Sequence, residues 1–292
     1  IDCSDGSDLP VVWHKDTMTS RIPIRSVLQA INDHAFATSN YPVIISMDNS
    51  IGNMEQEILM VNLFKEIFGS KLLLAPLNNS SDCANLPSPN ELKRRIIVKV
   101  NCKSSAIRPI HDLSVYCKTA KFKSFDMANI EFNYKEMCSL SERNAQKFTC
   151  STKAAQVLCN FNNRLLTRVY PGNLRINSSN FNPLKFWNVG CQLVALNIQG
   201  ESSRKSKSTG KGGPESCLND SKFMANGGCG YVKRPLAQLK SDFNPLERDA
   251  LAMGSNSIHD ISLCVLSGRF MSEGRNSITE VSLDVMGFDV DT

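Results

Sequence analysis

The 292-residue chain lacks any run of about eighteen consecutive apolar residues, so it offers no helix able to cross a bilayer. Its start lacks the charged-then-apolar order of a signal peptide. Eleven cysteines are scattered without a single Cys-x-x-Cys pair, and a chain of this size has no need of disulfide staples, so a reduced, cytoplasmic protein is expected. No internal repeat is visible. With 41% hydrophobic residues, the chain has material for one large α/β barrel or two ordinary domains, and disorder is not its main theme.

The formal charge of +5 is unevenly placed. Residues 201–213 carry Arg204, Lys205, Lys207 and Lys211 against one acid in a Ser/Gly-rich context. This stretch reads either as a solvated insertion or as a contact with anionic lipid of the inner leaflet, worth about 1 kcal/mol per basic residue. No aromatic residues interleave with those charges, which argues against nucleic acid.

Short branched apolar runs at Pro42–Met47 and Arg95–Lys99 predict strands buried on both faces. Between them Asn53 can cap a helix in which Met54, Ile58, Val61 and Phe64 recur at helical spacing before Gly69 ends it. Val27, Ile31 and Ala35 suggest an earlier helix, and Val194–Ile198 a later strand. Strand and helix alternate, as in a parallel α/β sheet. After Pro235 the composition turns polar. His259–Gly268 and Glu280–Val285 then alternate like antiparallel strands.

One long irregular stretch is more specific than any of these patterns. Ser178-Ser-Asn-Phe-Asn-Pro-Leu-Lys-Phe-Trp-Asn-Val-Gly-Cys-Gln-Leu-Val-Ala-Leu-Asn197, followed by Asn226-Gly-Gly-Cys-Gly-Tyr-Val232, resembles the Y region of phosphoinositide-specific phospholipase C. Asp112–Lys118 resembles the start of that region, and Ile1-Asp2-Cys3-Ser4-Asp5-Gly6 resembles the family's Leu-Asp-Cys-Trp-Asp-Gly motif, with Ser4 in place of Trp. The resemblance implies an incomplete TIM-type (β/α) barrel built from X and Y halves. Residues 1–101 would belong to the X half, 102–111 to a short linker and 112–235 to the Y half. A connection over 236–258 would lead to the opening strands of a C2-type β-sandwich at 259–292. The short, basic junction departs from relatives that carry a long acidic linker, so autoinhibition of that kind is not expected.

The resemblance also implies roles. Asp2 matches a calcium ligand, and Asp48 stands where the family usually has a calcium-binding, base-like Glu. His14, in Pro10-Val-Val-Trp-His14, matches the second catalytic histidine; without that motif, a lone His beside Trp reads as structural. Lys99 matches the first of two phosphate-holding lysines, and Asn101 replaces the second. Ser139 matches a Ser that bonds a ring phosphate, though before Glu142 it also reads as a helix cap. Arg168 and Tyr170 match the Arg that pairs with phosphate and the Tyr that packs on the inositol ring, and alternation places both on one face. His34, His111 and His259 lack such a motif and read as structural or solvent-facing. Asn226–Gly230 lacks the Lys-Ser/Thr ending of a nucleotide loop and reads as a tight turn.

The activity implied is calcium-dependent cleavage of phosphatidylinositol 4,5-bisphosphate to diacylglycerol and inositol trisphosphate, at the inner face of the plasma membrane and with signalling proteins as further partners. The family's first catalytic His, its calcium-binding Asn and a calcium-binding Glu have no counterpart here and are expected upstream of Ile1. The chain alone is therefore expected to be inactive. The alternative is a phospholipase C-like scaffold that binds phosphoinositides or signalling proteins without cleavage. Asp48, Asn101 and the Tyr134–Ser139 segment favour it, and the retained His14 opposes it.

Overall fold

A computed structural model describes residues 1–14, 19–77, 86–102, 108–120, 134–172, 175, 178–198, 213–224 and 226–246. The proposed C2 strands at 259–292, His259 and residues 201–212 of the basic segment lie outside the described residues.

Two parallel sheets form the scaffold. In the first, β1 (Asp2–Ser4) lies beside β4 (Val43–Asn49), which lies beside β5 (Ile96–Cys102), all parallel. Two short strands, β2 (Val11–Val12) and β3 (Ile22–Pro23), extend β1 antiparallel at its outer edge. The second sheet runs β6 (Lys118–Ala120), β7 (Glu136–Ser141), β8 (Leu166–Tyr170) and β9 (Leu193–Val194), parallel throughout. Thr119 Oγ1 donates to Val100 O at 2.6 Å and so stitches β6 to β5. Parallel neighbours require crossover connections. Helices α1 (Ile24–His34), α2 (Met54–Phe68), α3 (Glu142–Gln146), α4 (Thr152–Asn162) and α5 (Leu184–Asn188) lie in the crossovers from β1 to β4, β4 to β5, β7 to β8 and β8 to β9, and α6 (Gly213–Met224) follows β9.

Alternation along each strand sorts side chains between two environments. Ile45, Met47, Ile96, Val98 and Val100 face outward and bury against Met60, Phe64 and Phe68 of α2. Cys138, Leu140 and Val169 do the same against Leu158 and Phe161 of α4. On the inner face Ile97 and Met137 share a separate cluster with Ile44, Leu166 and Leu193, so the two sheets close over one apolar floor. Above it, toward the carboxyl ends, the inner positions become Lys99, Ser139 and Arg168, then Asp48, Asn101 and Tyr170. The polar residues therefore gather at one end, as functional groups do in αβ barrels.

Helix α2 begins as its sequence dictates: Asn53 accepts from the backbone N–H groups of Glu55 and Gln56, and Gly69 follows its last turn. Its buried face is the expected one only in part, through Val61 and Phe64. Met54 and Ile58 are exposed, whereas Gln56, Glu57, Met60, Val61, Leu63, Phe64 and Phe68 are buried. Apolar spacing misphased the stripe because Glu57 is buried by polar partners. Arg108 pairs with its Oε2 at 2.6 Å, Asn49 Nδ2 donates to the same oxygen at 2.9 Å, and the Ile110 N–H donates to Oε1 at 3.2 Å.

The strand expected over Val194–Ile198 is shorter than its apolar run. It ends at Val194, because Asn180 and Asn197 bond each other through side chain and backbone and take over where a ladder would continue. Ile198 is left 84% exposed. The Asn226–Gly230 segment is a turn in which Gly227, Gly228 and Gly230 all have positive φ.

Candidate active site

The first six residues are fixed onto the loop that follows β4. Asp5 accepts from the backbone N–H groups of Gly52 and Asn53 at 2.8 and 3.1 Å, and Gln56 bonds both the N–H and the C=O of Gly6. Backbone bonds from Asp48 N–H to Ile1 O and from Ser50 N–H to Cys3 O set the register of β1 against β4. That register puts Asp2 beside Asp48 and Asp48 beside Asn101, a row of three polar side chains on adjacent strands.

The Trp13 N–H donates to Asp2 O at 2.9 Å, which returns the chain to the row. His14 Nε2 then lies 4.0 Å from Asp2 Oδ2. Both side chains are accessible, the imidazole 68% and the carboxylate 40%. Asn101 Nδ2 donates to Asp48 Oδ1 at 2.8 Å. Asn101 is thereby a partner of Asp48, a role that its place in the sequence did not disclose.

Lys99 differs from its expected setting. It occupies the middle of β5 rather than its end and is only 2% exposed, one inner position below Asn101. Burial depresses its pKa first, and the nearby positive charge of Arg168 depresses it further, while Asp48 acts in the opposite sense. An ammonium in such a place gains from any anion that enters.

Ser139 does not cap a helix. It lies in β7, paired in register with Arg168, and the residue before α3 is Ser141. Its Oγ is buried without a hydrogen-bond partner among the described residues. Arg168 and Tyr170 share the inner face, with the guanidinium carbon 5.1 Å from the ring centroid, while Val169 between them is fully buried on the other face. Register and alternation thus bring His14, Asp2 and Asp48 to one rim, with Lys99, Ser139, Arg168 and Tyr170 on the same inner surface. His34 closes α1, and His111 lies in the 3-10 turn Pro109–Leu113, where its Nδ1 accepts from the Arg108 N–H.

Asp2 and Asp48 supply two hard carboxylate oxygen donors, and the Asn101 amide adds a neutral oxygen of the same hardness. This donor set suits calcium better than zinc, which favours Cys and His. Among the described residues no cluster of three or more His, Cys, Asp or Glu side chains is arranged to hold a metal. No helix among them is long and apolar enough to cross a membrane.

Comparison with known proteins bears on the fold and the family. The model of the phosphatidylinositol-specific phospholipase C X domain matches residues 1–102, and that of the Y domain matches residues 110–237. The 1-phosphatidylinositol 4,5-bisphosphate phosphodiesterase delta-3 of Mus musculus is 36% identical over 84% of this chain and 34% of its own length. Inactive phospholipase C-like protein 1 of Homo sapiens is 35% identical over 80% of this chain and 23% of its own length. The chain therefore spans about a quarter to a third of these two relatives. Among solved structures, PLC21 of L. pealei superposes with a TM-score of 0.73 at 29% identity, covering 82% of this chain and 33% of the other. PLC21 of S. officinalis gives 0.71 at 29% identity over 83% and 33%. With X and Y models matched in order along one parallel-stranded α/β scaffold, the chain belongs to the phosphoinositide-specific phospholipase C family.

Proposed function

We propose that this chain supplies most of the headgroup-binding and proton-handling surface for calcium-dependent cleavage of phosphatidylinositol 4,5-bisphosphate to diacylglycerol and inositol trisphosphate. The observation that carries this reading is the row of Asp2 and Asp48, with His14 at 4.0 Å, on the same inner surface as Lys99 and Arg168. Carboxylates for a cation and cations for phosphate thus share one cup.

Asp2 and Asp48 would hold calcium, with Asn101 orienting Asp48 through its 2.8 Å bond. Bound there, calcium would supply positive charge that favours ionisation of the inositol 2-hydroxyl, whose proton Asp48 would take, for attack on the adjacent phosphodiester. Lys99 and Arg168 would hold ring phosphates, the first as a desolvated point charge and the second through a planar donor fork. Ser139 would donate its unmet hydroxyl to a phosphate oxygen, and Tyr170 would pack against the sugar ring. His14, open to solvent beside Asp2, would deliver a proton to the departing lipid alkoxide and then take one from the water that opens the cyclic phosphate. The lipid substrate implies a cytoplasmic protein peripheral to the plasma membrane, acting in signalling. Residues 1–101 and 112–235 would be the two barrel halves, and 259–292 the start of a C2 sandwich.

A scaffold that binds without cleaving is the second reading. The Asn101–Asp48 bond favours it, since the amide is neutral and one of its donors already has a partner. The experiment places this chain in a chimera, where it replaces the matched region of the mouse delta-3 relative, and measures inositol trisphosphate release from vesicles. Calcium-dependent release that falls at least a hundredfold in His14→Ala supports cleavage. A folded chimera that binds such vesicles but releases nothing supports the scaffold.

A further inference from the structure

Beneath the apolar floor, at the amino ends of β4, β5, β8 and β9, lies a cavity of about 730 Å³. From Val43 at this end to Asp48 at the other is five residues of β4, roughly 16 Å at about 3.3 Å per residue. The cavity is therefore separate from the carboxylate row.

Part of its wall is aliphatic. Ile44, Leu166 and Leu193 line it and are only half-buried, so apolar surface inside the molecule faces open space. Its charge is of one sign. Lys222, Lys233 and Arg234 line it together with His34, and no Asp or Glu does so among the described residues. Lys222, near the end of α6, lies 4.9 Å from the Trp187 ring centroid and has no carboxylate partner among the described residues. Arg234 donates to Gly190 O and to Asn163 Oδ1, both neutral acceptors, so its charge is held in place without being cancelled. A volume of this size suits a small ligand, and unpaired cations beside a dry wall select what that ligand must be.

We propose that this cavity binds a single aliphatic chain ending in an anion, either a fatty-acid carboxylate or an alkyl phosphate. The chain lies along Ile44, Leu166 and Leu193, and the anion meets Lys222 and Arg234. A neutral lipid would leave the cations uncompensated, and a free inorganic anion would leave the aliphatic wall uncovered. The site goes beyond the phosphoinositide reading and does not depend on it.

Titration calorimetry of the whole chain with dodecanoate, dodecyl phosphate, decanoate and dodecanol, each below its micelle concentration, tests the proposal. One saturable site is expected, occupied by dodecanoate or dodecyl phosphate at least tenfold more tightly than by dodecanol. Decanoate, shorter by two methylenes, should bind about fifteenfold more weakly than dodecanoate. Lys222→Glu should weaken the anions at least tenfold and leave dodecanol unchanged, and inositol trisphosphate should not compete. The tighter of the two anions identifies the headgroup. Absence of saturable binding by both anions, equal binding of dodecanol, or an unchanged affinity in a folded Lys222→Glu variant overturns the proposal. If that variant does not fold, the four ligands on the unaltered chain still decide the matter.

Discussion

Replacing Arg108 by Met should be among the costliest single changes in this protein. Glu57 is fully buried, and its carboxylate receives Arg108, Asn49 Nδ2 and the Ile110 N–H. Arg108 also donates to Ile51 O at 3.1 Å, so it ties the segment between the residues matched by the X and Y models to the loop that follows β4. Methionine fills similar volume but leaves a buried charge with two neutral donors, which costs about 3–5 kcal/mol. That is a large part of a typical stability of about 5–15 kcal/mol. Urea unfolding should show the free energy falling by that amount, seen as a lower midpoint with the slope unchanged. Glu57→Met combined with Arg108→Met removes the charge as well, and the double-mutant cycle should return an interaction of at least 2 kcal/mol. A loss under about 1 kcal/mol in the single variant would refute the claim that this pair fastens the segment before residue 110 to α2.

Gly190 has φ +78, and an added Cβ would fall 2.7 Å from Arg234 Nη2, so Gly190→Ala should cost about 1–3 kcal/mol, read as a lower melting temperature. Cys3, Cys117, Cys138 and Cys191 have thiols pushed by burial from 9.0 up to about 12, so in the folded protein they should resist alkylation at pH 8, while exposed Cys150 and Cys217 react. The unfolded chain loses those protons first, so their stabilisation is complete below about pH 9 and declines as pH rises toward 12. Melting temperature followed from pH 8 to 11 should fall steadily above 9, and a flat profile would contradict this account.

The parts of the fold that rest on short-range physics were legible in the sequence. Branched apolar runs marked β4 and β5, and Asn53 and Gly69 marked the ends of α2. The row of Asp2, Asp48 and Asn101 was only half legible, because strand register depends on bonds between residues more than forty positions apart. Glu57 was invisible as a core residue, since its burial depends on Arg108, fifty-one positions away. The cations of the second cavity were equally hidden, because Lys222, Arg234 and Ile44 converge only after the sheets close. Motif resemblance supplied candidate roles for His14 and Ser139. Local spacing could not supply their neighbours.

The central claim is that the cup at the carboxyl ends of the strands grips a phosphorylated inositol. Inositol 1,4,5-trisphosphate titrated into the chain, with and without calcium, addresses it without requiring turnover. The account predicts saturable binding that tightens with calcium and weakens about tenfold or more in Lys99→Met and in Arg168→Leu, each of which removes one charged contact to phosphate. Binding that is absent in both conditions, or that survives both substitutions in folded protein, would contradict it.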